Sequence, residues 1–285
     1  MLRSMYAGIS GMKSFQTKLD VVGNNIANVN TAGFKKGRAT FQDMMSQTVS
    51  GASAPTANRG GINPAQVGTG SQLGSIDNVH TQGNRQTTER PLDLQLEGDG
   101  MFVFQEGDEL QYSRAGNMYL DDDGNIVNAN GQYLMGFQPQ GDEPSSIDDI
   151  DHSQVGIINI PDTASSFSIE GNGVVNYVED GETRVAGQIA LSKFANEGGL
   201  EKVGSNMYQT TVNDGQFETG EDDTIYYQPE EGGTASIVAG ALEMSNVDLS
   251  EEFTEMITAQ RGFQANTRII TTSDEILQEL VNLKR

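Results

Sequence analysis

The two ends of this 285-residue chain each carry apolar residues at seven-residue steps. Such spacing places side chains on one narrow stripe of an α-helix, the pattern that pairs helices side by side. One series begins at Met5, a second includes Phe15 and Val22, and the C-terminal end repeats the pattern from Leu249. Because a single helix cannot bury such a stripe on its own, the pattern predicts that the two ends pair with each other.

The residues expected to mediate helix contacts either follow this spacing or are apolar or uncharged polar residues beside it. At the N-terminal end they are Met5, Ile9, Met12, Leu19, Val22, Asn24, Asn25, Ile26, Asn28, Val29 and Asn30. At the C-terminal end they are Leu249, Phe253, Met256, Gln260, Phe263, Gln264, Asn266, Ile270 and Leu277. Gly8, Gly11 and Gly23 each weaken the first helix by roughly 1 kcal/mol relative to alanine, so this helix depends on a partner.

The segment NNIANVN, residues 24–30, places four asparagines within seven residues of the first helix. Asparagine is a poor helix former, and its amide is costly to bury without a hydrogen-bond partner. Amides can satisfy one another when they are buried together, so we expect the first asparagines to meet amides of neighbouring copies. The last ones, from Asn28 to Gly33, are expected to end the helix in a left-handed turn. For the second helix, Asn246 or Asp248 is the expected N-cap.

We predict four segments: an N-terminal helix over 1–30, an extended connector over 31–74, a β-rich domain over 75–245 and a C-terminal helix over 246–285. Short Val, Ile, Tyr and Phe runs in the third segment alternate with Asp-Gly and Asn-Gly pairs, which are typical of β-hairpins. The predicted fold class is therefore mainly β, with many short antiparallel strands in a sandwich-like or barrel-like middle domain. The two terminal helices form a coiled-coil-like pair.

Composition excludes several classes of partner. The net charge of −23 argues against nucleic acid, which requires clustered Lys and Arg. The chain has no cysteine, which removes disulfides and zinc–thiolate sites. No apolar run approaches the ~18 residues of a membrane helix, and the first 20 residues lack the features of a cleaved secretory signal. We expect no membrane insertion.

No motif for catalysis is present, and we expect no catalytic residue, cofactor or metal ion. His80 and His152 lie in polar surroundings typical of surface histidines. The segment DDDGNIVNANGQ begins like a calcium loop at Asp121, but its glycine comes two positions early, which favours a hairpin turn. The acidic clusters 148–151 and 221–223 leave a secreted carbohydrate-active or calcium-binding β protein as a distant alternative.

Three stretches resemble the bacterial flagellar rod and hook family. They are MLRSMYAGISGM…LDVVGNNIANVNTAGFKKGRATFQDM at the start, LDLQLEGDGMFVF…YSRAGNMYLDDDGNIVNANGQYLMGF in the middle and LEMSNVDLSEEFTEMITAQRGFQANTRIITTSDEILQELVNLKR at the end. The connector GGINPAQVGTGSQLGSID is similar to that of hook proteins, in particular the short ones of Bacillus-like bacteria. The residues of the predicted connector 31–74 that we single out are Gly33, Phe34, Asn63 and Pro64.

The resemblance implies a structural subunit of the flagellar hook, which self-assembles into a helical tube and transmits motor torque as a flexible universal joint. It also implies terminal helices that order on assembly, and export through the flagellar type III apparatus without a cleaved signal to the extracellular flagellum. The implied partners are copies of the same chain and other axial proteins of the rod, the hook–filament junction and the hook cap. Since the chain lacks room for a second large outer domain, a distal rod (drive-shaft) subunit of the basal body remains the alternative.

Overall fold

The computed structural model describes residues 2–56, 59–140, 144, 147, 150–215 and 226–283. The acidic cluster 221–223 and residues 148 and 149 lie outside these ranges. The chain divides into two compact units, which we call the helix unit and the β unit. The helix unit comprises Met1–Ala27, Gly37–Val79 and Val247–Arg285, and the β unit comprises Asn28–Lys36 and His80–Asn246.

The helix unit contains two long helices and two small antiparallel strand pairs. The helices are α1, Leu2–Ala27, and α2, Leu249–Leu283. The strands are β1, Gly37–Asp43; β2, Ser46–Ser50; β3, Ala65–Gly68; and β4, Ser71–Asn78. Strand β1 pairs with β4, and β2 pairs with β3.

Local chemistry explains where the helices begin and end. Asp248 caps α2, because its Oδ1 accepts a hydrogen bond of 2.8 Å from the backbone N–H of Ser250. The turn after α1 closes when the Thr31 N–H donates to the Asn28 carbonyl at 3.1 Å, and Gly33 follows in the left-handed region with φ of +69°. The chain turns where predicted, but the left-handed residue Gly33 comes six positions after Ala27, the last residue of α1. Asn246 has another role, accepting from the Lys36 N–H at 2.8 Å.

The β unit contains sixteen strands among its described residues, most of them short. They are β5, Arg85–Thr87; β6, Leu94–Glu97; β7, Met101–Glu106; β8, Glu109–Ser113; β9, Tyr119–Leu120; β10, Ile126–Val127; β11, Tyr133–Pro139; and β12, Ile150–Ile157. The remainder are β13, Ser166–Ile169; β14, Val174–Glu179; β15, Glu182–Ile189; β16, Leu191–Ser192; β17, Glu201–Gly204; β18, Met207–Gln209; β19, Ser236–Ala239; and β20, Ala241–Glu243.

Twelve of these strands form one antiparallel sheet. Its main path runs β13-β14-β15-β11-β7-β8-β18-β17, while β19 pairs with β6 and β20 with β5 in separate ribbons. Tight turns follow the predicted signals: Asp180 and Gly181 join β14 to β15 with φ of 52° and 86°. Positive φ at both positions matches the twist of the flanking strands. The segment after Asp121 is also a hairpin turn, between β9 and β10.

The β unit has an extensive apolar core of its own. Phe102 and Phe104 from β7 are fully buried, together with Leu94, Leu134 and Leu191. Each such side chain contributes roughly 1.5–3 kcal/mol when it is removed from water. Burial of this size explains why the strands, although short, form a defined unit.

The predicted fold class is confirmed: the protein is mostly β, with an N-terminal and a C-terminal helix that pack against each other. The described strands do not close into a barrel. The predicted segment boundaries stay a prediction, although most of the predicted connector groups with the helices rather than with the β unit. Neither described helix is long and apolar enough to cross a membrane.

Candidate self-assembly surface

Helices α1 and α2 pack antiparallel along their length. Gly8 lies against Ile270, and Gly11 lies against the side-chain amide of Asn266. Closer to the end of α1, Phe15 lies against Gly262. In these contacts the residue numbers increase along α1 as they decrease along α2. The two chain ends therefore pair as predicted, and the two helices are antiparallel.

Glycines let the two helices approach closely. A Cβ atom on Gly11 would stand 2.7 Å from the Asn266 amide nitrogen, and one on Gly262 would stand 2.5 Å from the Phe15 ring. Both distances are shorter than van der Waals contact, so only glycine fits without a shift. Gly23 differs, because nothing lies within 4 Å of its Cβ position. Two of these glycines thus offset their poor helix propensity by admitting a partner side chain.

Asn25 corrects part of the expectation for the asparagines. It is 2% exposed, and its side chain is bonded within the chain rather than available to a neighbouring copy. Its Nδ2 donates to the Gly37 carbonyl at 2.9 Å and to Glu252 Oε2 at 3.1 Å, while its Oδ1 accepts from the Gly37 N–H at 2.9 Å. These three bonds satisfy a buried amide, so Asn25 fixes β1 and the start of α2 to α1.

Charged residues near the start of α2 are also engaged within the helix unit. Glu252 lies in the first turn of α2, where a carboxylate interacts favourably with the helix dipole, and it is buried against Asn25. Glu255 forms an ion pair with Lys18 of α1. Both groups reinforce the antiparallel register of the two helices.

The predicted contact residues divide into three groups by exposure. Val22 and Asn25 are buried. The half-buried residues are Met5, Met12, Leu19, Ile26, Asn28, Val29, Met256, Phe263, Asn266, Ile270 and Leu277. The exposed residues are Ile9, Asn24, Asn30, Leu249, Phe253, Gln260 and Gln264.

The exposed group includes a stripe that the helix pair leaves uncovered. Phe253 and Ile257 of α2 are 50% and 51% exposed. At 100° per residue, Gln260 and Gln264 fall on this same face of the helix. An apolar face with neutral amides beside it is typical of a surface that another subunit covers.

The other predicted positions lie in the turn after α1 and in the connector. Gly33 and Phe34 are buried in the β unit, where the Gly33 N–H donates to the Glu243 carbonyl at 2.8 Å. A Cβ on Gly33 would stand 2.6 Å from the Ala115 backbone nitrogen, so the turn requires glycine. Asn63 and Pro64 are exposed in the loop between β2 and β3.

A buried ionic cluster in the β unit involves three residues that sequence reasoning missed. Lys35 is 1% exposed, and its Nζ lies 2.7 Å from Glu243 Oε1 and donates to the Thr81 carbonyl at 2.8 Å. On the other side of this carboxylate, Arg114 Nε lies 3.2 Å from Oε2. Burial lowers the pKa of Lys35, and the Glu243 carboxylate acts in the opposite direction. The cluster fixes the segment after α1 to strand β20.

His80 lies beside this cluster and is not a surface histidine. Its ring lies 5.5 Å from that of Tyr208, and its Nδ1 is 3.6 Å from Glu197 Oε2. Burial, reinforced by the positive charges of Lys35, Lys202 and Arg114, lowers the pKa of His80 to about 4. Burial also raises the pKa of Glu197 and that of Tyr208. The imidazole is therefore neutral near pH 7.

The only signal for this cluster in the sequence is a charged residue inside an apolar or glycine-rich run. Lys35 follows GF, Arg114 follows YS and Glu243 follows GAL. Such residues are usually solvated, so their pairing over more than 100 positions is not visible locally. Among the described residues no group of three or more His, Asp or Glu side chains is arranged to hold a metal ion.

Comparison with known protein families matches three parts of the chain. Residues 5–35 match "Flagella basal body rod protein", residues 95–177 match "Flagellar hook protein FlgE/F/G D1 domain", and residues 238–283 match "Flagellar basal body rod FlgEFG protein C-terminal". Together they cover more than half of the chain. The chain belongs to the flagellar rod and hook protein family.

Individual members of the flagellar rod and hook family align over the whole chain. The flagellar basal-body rod protein FlgG of Bacillus subtilis is 52% identical over 286 positions, with all of both chains covered. The FlgG of Caulobacter vibrioides is 36% identical, covering 99% of this chain and all of the relative. The flagellar hook protein FlgE of Borreliella burgdorferi is 33% identical over 448 positions, again covering both chains.

The family matches coincide with the two regions described above. The first and third matched segments contain most of α1 and all of α2. Lys35, Arg114 and Glu243 each lie in a different matched segment. The buried ionic cluster therefore joins all three family segments within one unit.

Proposed function

We propose that this protein is a rod subunit of the flagellar basal body. Copies of it polymerise through α1 and α2 into a helical tube that transmits torque from the motor. The observation that carries the proposal is the full-length match to a basal-body rod protein at 52% identity, with almost equal chain length. The uncovered Phe253–Gln264 face of α2 supplies a surface for polymerisation.

The second candidate function is that of a flagellar hook subunit, which the sequence alone favoured. Full coverage at 33% identity to a hook protein favours it, as does the connector that contains Asn63 and Pro64. However, that alignment needs 448 positions against the 285 residues of this chain, so more than a third of its positions have no counterpart here. Because this chain lacks that added region, its length agrees better with that of the rod protein relative.

The remaining features of the proposal follow from membership of the family. We propose that the chain leaves the cell through the flagellar type III apparatus without a cleaved signal, and that it contacts other axial proteins of the rod and hook. On assembly, residues 1–30 and 246–285 form the axial core of the tube. Residues 31–74 connect this core to the β-rich domain, residues 75–245, which faces outward. The role is structural, without catalysis or cofactor.

Electron microscopy tests the proposal at two levels. Immunogold labelling of isolated basal bodies that carry this protein should mark the straight shaft below the hook. Labelling of the curved segment would overturn the rod assignment in favour of the hook. If neither segment is labelled, the protein is not part of the axial structure.

A charge substitution tests the role of the helices in polymerisation. Ile257→Asp places a carboxylate on the uncovered face of α2, and burying an unpaired charge in a subunit contact costs several kcal/mol. We expect the purified variant to stay monomeric in sedimentation experiments under conditions in which the parent chain polymerises. Thr183→Asp, at an exposed position of β15, is the matched control and should polymerise normally. Equal polymerisation of both variants would contradict the proposed surface.

A further inference from the structure

The helix unit contains a groove beside α1. It lies between α1 and the adjoining ends of β1 and β4, encloses about 600 Å³ and has mostly apolar walls. Tyr6 and Leu73 contribute to the walls. The Ser71 N–H donates to Ser10 Oγ at 3.4 Å, and the hydroxyls of Ser14 and Ser71 lie 3.2 Å apart. The groove is therefore built on defined contacts.

The groove lies on a different face of α1 from α2. Helix α2 covers the face that contains Gly8, Gly11 and Phe15. At 100° per residue, the groove residues Tyr6 and Lys13 fall more than 120° around the helix from that face. The helix that pairs with α1 in the same copy thus leaves the groove open.

Two cations lie at the groove and have no ion pair among the described residues. They are Arg3 and Lys13, which are ten positions apart on α1 and thus separated by about 15 Å along the helix axis. A ligand that combines apolar side chains with carboxylates over a similar length would suit this groove.

The C-terminal end of α2 has this chemistry. Because Gly8 lies opposite Ile270 and Gly11 opposite Asn266, the register places Leu2 near residue 276, and the last residues of α2 extend beyond α1. We call residues 274–283, most of which extend beyond α1, the overhang. Leu280 and Leu283 are exposed there, and Glu275 and Glu279 make no ion pair within the described part of the chain. The ten residues of the overhang span about 15 Å.

We propose that the groove beside α1 in one copy receives the overhang of α2 from a second copy. This inference rests on the proposed self-assembly and identifies two of the surfaces that meet. Leu280 and Leu283 enter the apolar groove, while Glu279 faces Lys13. The polarity and the sign of the charge on the two surfaces are complementary.

The other uncovered stripe of α2 is a poorer occupant. Phe253 and Ile257 are apolar, but the neighbouring carboxylates are already engaged in their own copy. Glu252 is bonded to Asn25, and Glu255 is paired with Lys18. That stripe therefore brings fewer free negative charges to a groove that carries two positive ones.

Disulfide cross-linking provides a direct test, because the chain contains no cysteine. Full-length Tyr6→Cys and full-length Leu280→Cys are mixed at high concentration and oxidised mildly. We expect cross-linked dimers to form at least tenfold faster than in a mixture of Tyr6→Cys with Ile257→Cys. Tyr6, Leu280 and Ile257 are 68%, 48% and 51% exposed, so accessibility does not explain such a difference. Equal rates, or no cross-link in either mixture, would overturn the inference.

A charge exchange tests the electrostatic part of the contact. Lys13→Glu in the Tyr6→Cys chain should slow the cross-link several-fold, and Glu279→Lys in the Leu280→Cys chain should do the same. Combining both changes should restore most of the rate. If each single change slows the reaction and the combination slows it further, the proposed orientation is wrong.

Electron microscopy of the same samples separates this inference from the proposed function. Tubes that form without the Tyr6–Leu280 cross-link would leave the rod assignment intact and refute the docking contact. Cross-linked pairs that never extend into tubes would support the contact and count against polymerisation into a rod.

Discussion

The β unit and the helix unit differ in how far each completes its own apolar packing. Phe102 and Phe104 of the β unit are fully buried, whereas Phe253 and Ile257 of the helix unit are half exposed. Even charged groups in the β unit, such as Glu243, are enclosed with partners. The β unit therefore buries its large apolar side chains internally, while the helix unit presents apolar surface that an additional copy can cover.

The largest change in stability is expected when the internal pairing of the β unit is broken. Glu243→Ala leaves Lys35 and Arg114 buried together without their carboxylate, which should lower the free energy of unfolding by about 3–5 kcal/mol. Denaturant titration followed by tyrosine fluorescence measures this, because Tyr6 is the only tyrosine outside the β unit. As a control, Glu109→Ala, at an exposed position of β8, should change the free energy of unfolding by less than about 0.5 kcal/mol. Similar losses in both variants would refute a special role for the cluster.

A smaller effect should appear as pH falls. The His80 imidazole has a folded-state pKa of about 4 against an ordinary value of 6.5, so between these values the unfolded chain binds the extra proton. The β unit should therefore lose stability between about pH 6.5 and 4, by up to roughly 3 kcal/mol from this group. Comparing unfolding of the parent chain with His80→Gln isolates this loss from the opposite contribution of Glu197, whose raised pKa favours the folded state as pH falls. An unchanged pH profile in the variant would contradict the buried neutral imidazole.

The helix unit should respond more weakly, and in opposite directions at two glycines. Gly262→Ala forces a methyl group against the Phe15 ring and should lower the melting stability of the helices by about 1–2 kcal/mol. In Gly23→Ala the added methyl group has no neighbour within 4 Å, so this change should raise the stability of the helices by up to about 1 kcal/mol. Circular dichroism at 222 nm follows the helices in both variants. A gain in stability for both would show that the close approach at Gly262 does not matter.

The smallest effect on stability is expected at the uncovered face of α2. Phe253→Ser should change the free energy of unfolding of the monomer by less than about 1 kcal/mol, since half of the side chain already contacts water. Sedimentation of the same variant should nevertheless show reduced polymerisation. A large loss of monomer stability would mean that the helix unit packs this residue internally and would remove the contrast between the units.

Sequence reasoning recovered the features that nearby residues specify. Asp180-Gly181 marked the hairpin between β14 and β15, and the asparagines before Gly33 marked the end of α1. It assigned Asn25 to an open face, although the residue bonds to Gly37 and Glu252 in the same unit. It also described His80 as a surface residue, although the side chain is enclosed.

By itself, the sequence determined the type of each major element, because hydrophobic spacing and turn residues act through neighbouring positions. The seven-residue steps specified two helices with narrow stripes, and alternating short runs with Asp-Gly pairs specified a β-rich middle. The tertiary structure alone decided which distant groups meet: Lys35 with Glu243, Asn25 with Glu252 and Gly11 with Asn266. Each of these pairs is separated by more than 200 residues, and its contact depends on how whole elements dock, which no local spacing records.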